Sequence, residues 1–497
     1  MSKLLRVLVF LGALALVLAV MALLGSHSGS RLARQRYEAQ LRAGGEKLAF
    51  EELTRGRRPA TADTYSIITN AAAKLNGGRL YPGMLEQRKY VRPGQAGVTW
   101  RQATPVWPQP SGPGSVGTWE EFAAQMQAAQ GALRELREAL KQPAADAGPA
   151  TNMLLSRRVN FVSTRIAAQW LMGAAESDLH QGRLEAGLRN MEALVALAQM
   201  ERDEYALLAQ MIRVAVAGLG LMTTWEALQA PGWTEPQLAR LQQAWEPVDL
   251  VEAAEKGLLG ERAAGYEWFA QARHSSGPEI GRKLRATWYT GLGPSKAILG
   301  NAFTDHLLYP AYKITSIDTD ELFYLETMQA GIAALRLVKA HRPWPEANRA
   351  VIKAGARLGQ LAGALDRIRY FFSLLSIPNY TRAGEMAVQR ETERQMTLAA
   401  IALKRYELRH GQLPPSLAAL VPELLPAVPY DCMSGKPLIY RLKPDGSYLL
   451  YSAGMDGTDD GGDPTPPPGS PAGLWTGRDA VWPSPAAMPD QPPRQAE

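Results

Sequence analysis

The sequence predicts a mainly α-helical protein with one membrane-spanning helix at its start and a small α+β module near its end. Three observations carry this reading. Apolar residues recur at helical spacing through most of 118–382. Two short runs rich in Leu, Ile and Tyr follow, joined by Lys443-Pro444-Asp445-Gly446. An uncharged apolar run fills Val7–Gly25. With 497 residues, 46% of them apolar and 21% charged, the chain has the composition of an ordinary globular protein. Its length suits roughly two to four domains.

Residues 1–25 are read as a membrane anchor. Nineteen uncharged residues make a helix of about 28 Å, close to the thickness of a bilayer core. Lys3 and Arg6 precede the run, and no small-residue cleavage site follows at Ser26-His27-Ser28. The expectation is an uncleaved, single-pass anchor in a bacterial inner membrane, with the bulk in the periplasm and membrane lipid as the partner of this helix.

Residues 26–117 are basic and loop-rich. From Arg31 to Arg101 there are fourteen Lys or Arg against six Asp or Glu, and the pairs Gly77-Gly78, Pro82-Gly83 and Pro93-Gly94 mark turns. The expectation is a solvated juxtamembrane stalk, attracted to anionic lipid. No aromatic platform interleaves the charges, so nucleic acid is not expected as a partner.

The helical domain spans 118–382. Thr118 is placed to cap the first helix, with Glu120 and Glu121 in its first turn. Helices are expected at Glu120–Lys141, Met153–His180, Leu184–Met200, Glu204–Gln229, Glu235–Ala244, Val248–Ala272, Asp318–Ala340 and Glu346–Tyr370. Gln181-Gly182 turns one helical pair. Residues 273–317 are expected to be looser. The final stretch, 464–497, holds ten prolines and is expected to be a disordered tail.

Residues 383–463 form the α+β module. Glu391–His410 places Leu398, Ile401, Ala402 and Tyr406 on one face of a helix, with Gly411 as its C-cap and Pro414 beyond it. Strands are expected at Pro437–Leu442 and Ser447–Ala453. The order of motifs resembles the soluble domain of type II secretion major pseudopilins over about 75 residues. Tyr406, His410-Gly411 and Leu413-Pro414 match the end of that family's helix. Leu425-Pro426, Tyr430-Asp431, Ser434-Gly435-Lys436-Pro437 and Tyr440 match its middle, and Leu450-Tyr451-Ser452 with Gly454-Met455-Asp456-Gly457 its final strand and loop. The resemblance implies a calcium site in that loop. Asp456 and Asp463 would be side-chain ligands, the Ala453 carbonyl a further one, and Asp459 and Asp460 additional candidates, since calcium takes six to eight oxygens. The family's processing site and the acidic residue of its membrane helix are absent from this N-terminus.

Catalytic signatures such as H-E-x-x-H, Walker A, G-x-S-x-G and S-x-x-K are absent. No histidine lies three to five residues from another, and Cys432 is the only cysteine, so neither a local zinc pair nor an internal disulfide is available. The expected function is a membrane-anchored, non-enzymatic scaffold or binding protein of the envelope, with envelope or secretion proteins as partners. The alternative is an enzyme whose site is assembled from distant residues of the helical domain.

Overall fold

The computed structural model describes residues 28–55, 64–75, 88–105, 117–141, 161–288, 304–361 and 363–486. The apolar run at Val7–Gly25 lies outside the described residues, as does the start of the helix expected at Met153. Helix α1 covers 28–43. It is followed by α2 (Phe50–Thr54), α3 (Thr64–Leu75), and a hairpin of β1 (Tyr90–Arg92) and β2 (Gln95–Ala96). The helical body comprises α4 (Trp119–Ala128), α5 (Gln130–Leu140), α6 (Phe161–His180), α7 (Leu184–Ala198), α8 (Leu207–Leu228), α9 (Glu235–Trp245) and α10 (Leu250–His274). It continues through α11 (Gly277–Trp288), α12 (Tyr309–Thr315), α13 (Ile317–Lys339), α14 (Trp344–Ala347), α15 (Arg349–Gly359), α16 (Ala364–Arg369) and α17 (Phe371–His410). Strands β3 (Ile439–Leu442), β4 (Tyr448–Ser452), β5 (Ala480–Val481) and β6 (Ser484–Pro485) close the chain.

Local chemistry explains several boundaries. The Thr118 hydroxyl accepts the Glu121 N–H at 3.2 Å, and the Glu121 carboxylate accepts the Thr118 N–H at 2.9 Å. This reciprocal cap starts α4. The helix expected over Glu120–Lys141 breaks at Ala129 into α4 and α5. That expected over Glu346–Tyr370 breaks into α14, α15 and α16. Its three glycines, Gly355, Gly359 and Gly363, weaken a continuous helix. Part of the looser 273–317 stretch is helical, as α11, α12 and a wide turn at Thr304–Leu308.

Helix α8 is the centre of the body. It packs against α6, α7, α10 and α17. Among the described residues it is the one helix long and apolar enough to cross a membrane, but 72% of its apolar window is buried within the protein. Trp225, Leu221, Val214 and Ala217 are fully buried. Each large apolar side chain sealed there contributes about 1.5–3 kcal/mol.

Three expectations are corrected. First, the described parts of the basic stretch, 28–55, 64–75 and 88–105, are folded onto the body rather than forming a solvated stalk. Arg34 donates to Asp318 at 2.8 Å, Lys74 to Glu135 at 2.6 Å and Arg88 to Glu393 at 3.3 Å. Second, the boundary placed at 382/383 falls inside α17, a 40-residue helix with Pro378 in its first part. One buried apolar cluster runs from Ile68 to Trp482, so the module shares the core of the helical body. Third, Pro464–Ala486, expected as part of a disordered tail, is built in. Strand β5 pairs antiparallel with β4, and β6 pairs parallel with β2. The Trp482 N–H donates to the Leu450 carbonyl at 2.8 Å, and the Trp225 indole donates to the Pro483 carbonyl at 2.9 Å. Two indoles, Trp475 and Trp482, and the apolar Val481 supply what proline-rich composition conceals.

Candidate functional site: the acidic loop and its anchors

The module is built outward from the end of α17. Gly411 closes that helix with φ 71° and donates its N–H to the Glu407 carbonyl at 2.8 Å. Strands β3 and β4 pair in register from Ile439↔Tyr451 to Leu442↔Tyr448. In the turn between them, Asp445 accepts the Ser447 N–H at 2.9 Å, an Asx turn of the kind its sequence favours. At the end of β4 the chain must pass close to the Arg478 backbone. Gly454 does so with φ 68°, where a methyl group would lie 1.8 Å from the Arg478 carbonyl oxygen. Only glycine combines that conformation with that approach.

Two buried carboxylates hold this end of the molecule. Asp431, 1% exposed, accepts the Met433 N–H at 2.9 Å, the Ser434 hydroxyl at 2.7 Å, the Ser452 hydroxyl at 2.8 Å and the Ala453 N–H at 3.1 Å. It therefore joins the loop before β3 to the end of β4. Asp479, fully buried, accepts the backbone N–H groups of Gly462 at 2.7 Å, Asp463 at 3.0 Å and Asp460 at 3.4 Å. It serves the acidic loop as a capping carboxylate serves a helix N-terminus.

The sequence-expected ligands sit around this frame without converging. Asp456 is exposed and accepts the Thr458 N–H at 2.9 Å. Asp459 accepts the Gly461 N–H and the Tyr451 hydroxyl, both at 2.9 Å, which together hold its carboxyl below the usual range. Asp463 accepts the Thr465 N–H at 2.9 Å, and its carboxyl is likewise lowered by Thr465. The Arg478 guanidinium lies 3.9 Å from Asp460 and 3.7 Å from Asp463. Ala453 is buried, with its N–H on Asp431.

No family model, curated protein or solved structure matches this chain. The function must therefore be argued from the residues themselves. Calcium asks for several oxygens at about 2.3–2.6 Å from one centre. Among the described residues, no three His, Cys, Asp or Glu side chains come together as metal ligands. Asp456, Asp459 and Asp463 each accept a backbone N–H from two residues ahead, and Arg478 lies beside both Asp460 and Asp463.

A second convergence of titratable groups lies inside the helical body. Glu226 of α8 accepts the Thr99 N–H at 2.9 Å and the Thr99 hydroxyl at 2.7 Å. Burial raises its carboxyl to about 7, against the pull of Thr99 and Arg88. Burial and the neighbouring Glu226 push Glu176 well above the carboxylate range. Arg88 stacks over the Trp225 ring at 4.8 Å and bonds Glu393. Glu176 and Glu226 are 1% and 2% exposed. The depressions lined by Glu201 and Arg213, and by Tyr380 and Trp344, each admit roughly one water molecule.

Asp479 had no signal in composition, because it lies in the proline-rich stretch. Asp431 stood in a matched motif, but nothing in spacing shows that it bonds a strand twenty residues later.

Proposed function

We propose that this chain is a membrane-anchored, non-enzymatic scaffold of the bacterial envelope. Its helical body and pseudopilin-like end act as one rigid piece in the periplasm, presenting the module to envelope or secretion proteins. The observation that carries this reading is α17. One helix of 40 residues belongs to both parts, and several of its polar groups are spent on internal bonds. Glu391 takes the Leu250 N–H at 3.1 Å and the Arg394 guanidinium at 2.6 Å, while Arg394 also reaches the Trp245 carbonyl at 3.0 Å. Arg405 bonds Glu235 at 2.6 Å and Gln242 at 2.8 Å. Such a framework transmits position and leaves few free groups for chemistry.

The apolar run at Val7–Gly25 supports the anchor. Carbonate extraction and protease accessibility of the full chain in bacterial cells test the placement. Carbonate-resistant membrane association, with cleavage only after the outer membrane is opened, is the expected result. Release by carbonate, or cleavage from the cytoplasmic side, would overturn it.

A further inference from the structure

We infer that one end of the body, formed by the first described turn of α1, the Thr304–Leu308 turn and α12, rests on the lipid headgroup layer. The inference rests on the anchor reading above and adds which face meets the membrane. The apolar run ends at Gly25, and the described chain begins at Ser28. At that point of entry the Thr319 hydroxyl donates to Ser30 Oγ at 2.9 Å. Four residues, 26–29, thus separate the apolar run from Ser30 at the elbow where α12 meets α13. At most about 18 Å of chain is available between them.

Three large apolar side chains are exposed around that elbow. Leu32 is 47% exposed, Leu307 56% and Ile314 62%. Ile314 stands at the end of α12, and Leu32 in the first turns of α1. Their neighbours are firmly placed. Tyr309 and Tyr312 are buried against Phe371, with ring centroids 5.9 and 6.0 Å away. The local charge also suits lipid. Asp318 and Glu321 are shielded from solvent, and both are bonded to Arg34 and Arg273. Arg31 on α1 and Arg282 on α11 remain exposed. An apolar patch with a basic rim and neutralised acids fits an anionic bilayer surface.

Helix α17 gives the inference a distant reference point. Its N-terminal end packs at this face through Phe371. Its C-terminal end carries the hairpin, where Tyr440 donates to the Pro414 carbonyl at 2.9 Å. Leu442, 47% exposed on β3, is thereby removed by up to about 60 Å, the length of such a helix.

The test uses the full chain reconstituted in vesicles of phosphatidylethanolamine and phosphatidylglycerol containing headgroup-nitroxide lipid. Leu307→Cys, Ile314→Cys and Leu442→Cys are each labelled with a fluorophore, Cys432 being fully buried. Quenching several-fold stronger at positions 307 and 314 than at 442 is expected. Equal quenching at all three, in a chain that resists carbonate extraction, would overturn the assigned face and leave the anchor standing. A chain that carbonate extracts would overturn the anchor, and the face with it.

Discussion

The buried carboxylate of Asp479 accepts the N–H of Gly462 at 2.7 Å. A residue outside the acidic loop thus governs its shape, since the same side chain also holds the amides of Asp463 and Asp460. Removing it takes a charged acceptor from three part-buried amides, a type of bond worth about 1.5–3 kcal/mol. Asp479→Ala is expected to destabilise the protein by roughly 2–4 kcal/mol on that basis. Asp456→Ala, which frees one exposed amide, is expected to leave the midpoint nearly unchanged. Urea unfolding of both variants decides the matter, and equal losses would refute the assignment.

Calcium offers a related contrast. The resemblance to pseudopilins implies a bound cation, whereas three of the loop carboxylates accept nearby amides and Arg478 stands between Asp460 and Asp463. A ligand that binds only the folded state must raise its thermal midpoint. The expected outcome is the same melting temperature in excess calcium and in chelator. A rise in calcium that Asp463→Ala abolishes would show that the loop rearranges into the family's site.

Residues 464–486 are expected to be indispensable. Trp482 is 8% exposed, and deleting a buried Trp side chain costs about 3–5 kcal/mol. Truncation after Asp463 would also remove β5 from β4 and β6 from β2. Limited proteolysis of the truncated chain should produce new cleavage within 88–98. Unchanged resistance there would restore the reading of this segment as a tail.

Glu46 tests whether the basic segment belongs to the body. It accepts the guanidinium of the fully buried Arg262 at 2.9 Å and the Gln329 amide at 3.0 Å. Glu46→Ala leaves Arg262 buried without its carboxylate, a change that typically costs about 3–5 kcal/mol. A loss of that size in chemical denaturation is expected. A negligible one would return 28–55 to the status of a solvated stalk.

Long apolar-rich runs of helical length made most of the body legible, and Gln181-Gly182 marked the turn between α6 and α7. The β3–β4 hairpin was legible from Lys443-Pro444-Asp445-Gly446 for the same local reason. Long-range pairings were not. Arg34 finds Asp318, and Arg88 finds Glu393, across separations that leave no trace in spacing. Composition misled twice, at the basic stretch and at the proline-rich one. In each, a few residues with buried partners outweigh the average character of the segment. The loop aspartates were found, but the carboxylates that organise them were missed, because burial and not residue type distinguishes Asp479 from Asp456.

Buried carboxylates set an unusual pH dependence. Burial raises Glu226, Glu261 and Glu321 to about 7, Asp320 to about 6 and Glu201 to about 8. Hydrogen bonds from Thr99, Tyr380, Arg273 and Ser373 oppose the shifts of the first four without cancelling them. Their unfolded values are near 4.5, or 3.8 for Asp320. The folded protein therefore holds more protons than the unfolded chain across the intervening range. Stability must fall as pH rises through it, by up to about 1.4 kcal/mol per pH unit for each group. Glu46 acts in the opposite sense. Burial would raise it, but Arg336, Gln329 and Arg262 hold it at about 2, so its contribution is lost as pH falls from 4.5 toward 2. The two effects place maximal stability near pH 4.5. Thermal midpoints measured from pH 4 to 8 are expected to decline across most of that range, and Glu226→Gln, which keeps the Thr99 contact and cannot ionise, should flatten the decline. A midpoint that rises from pH 5 to 7 would show that these carboxylates are ionised in the fold.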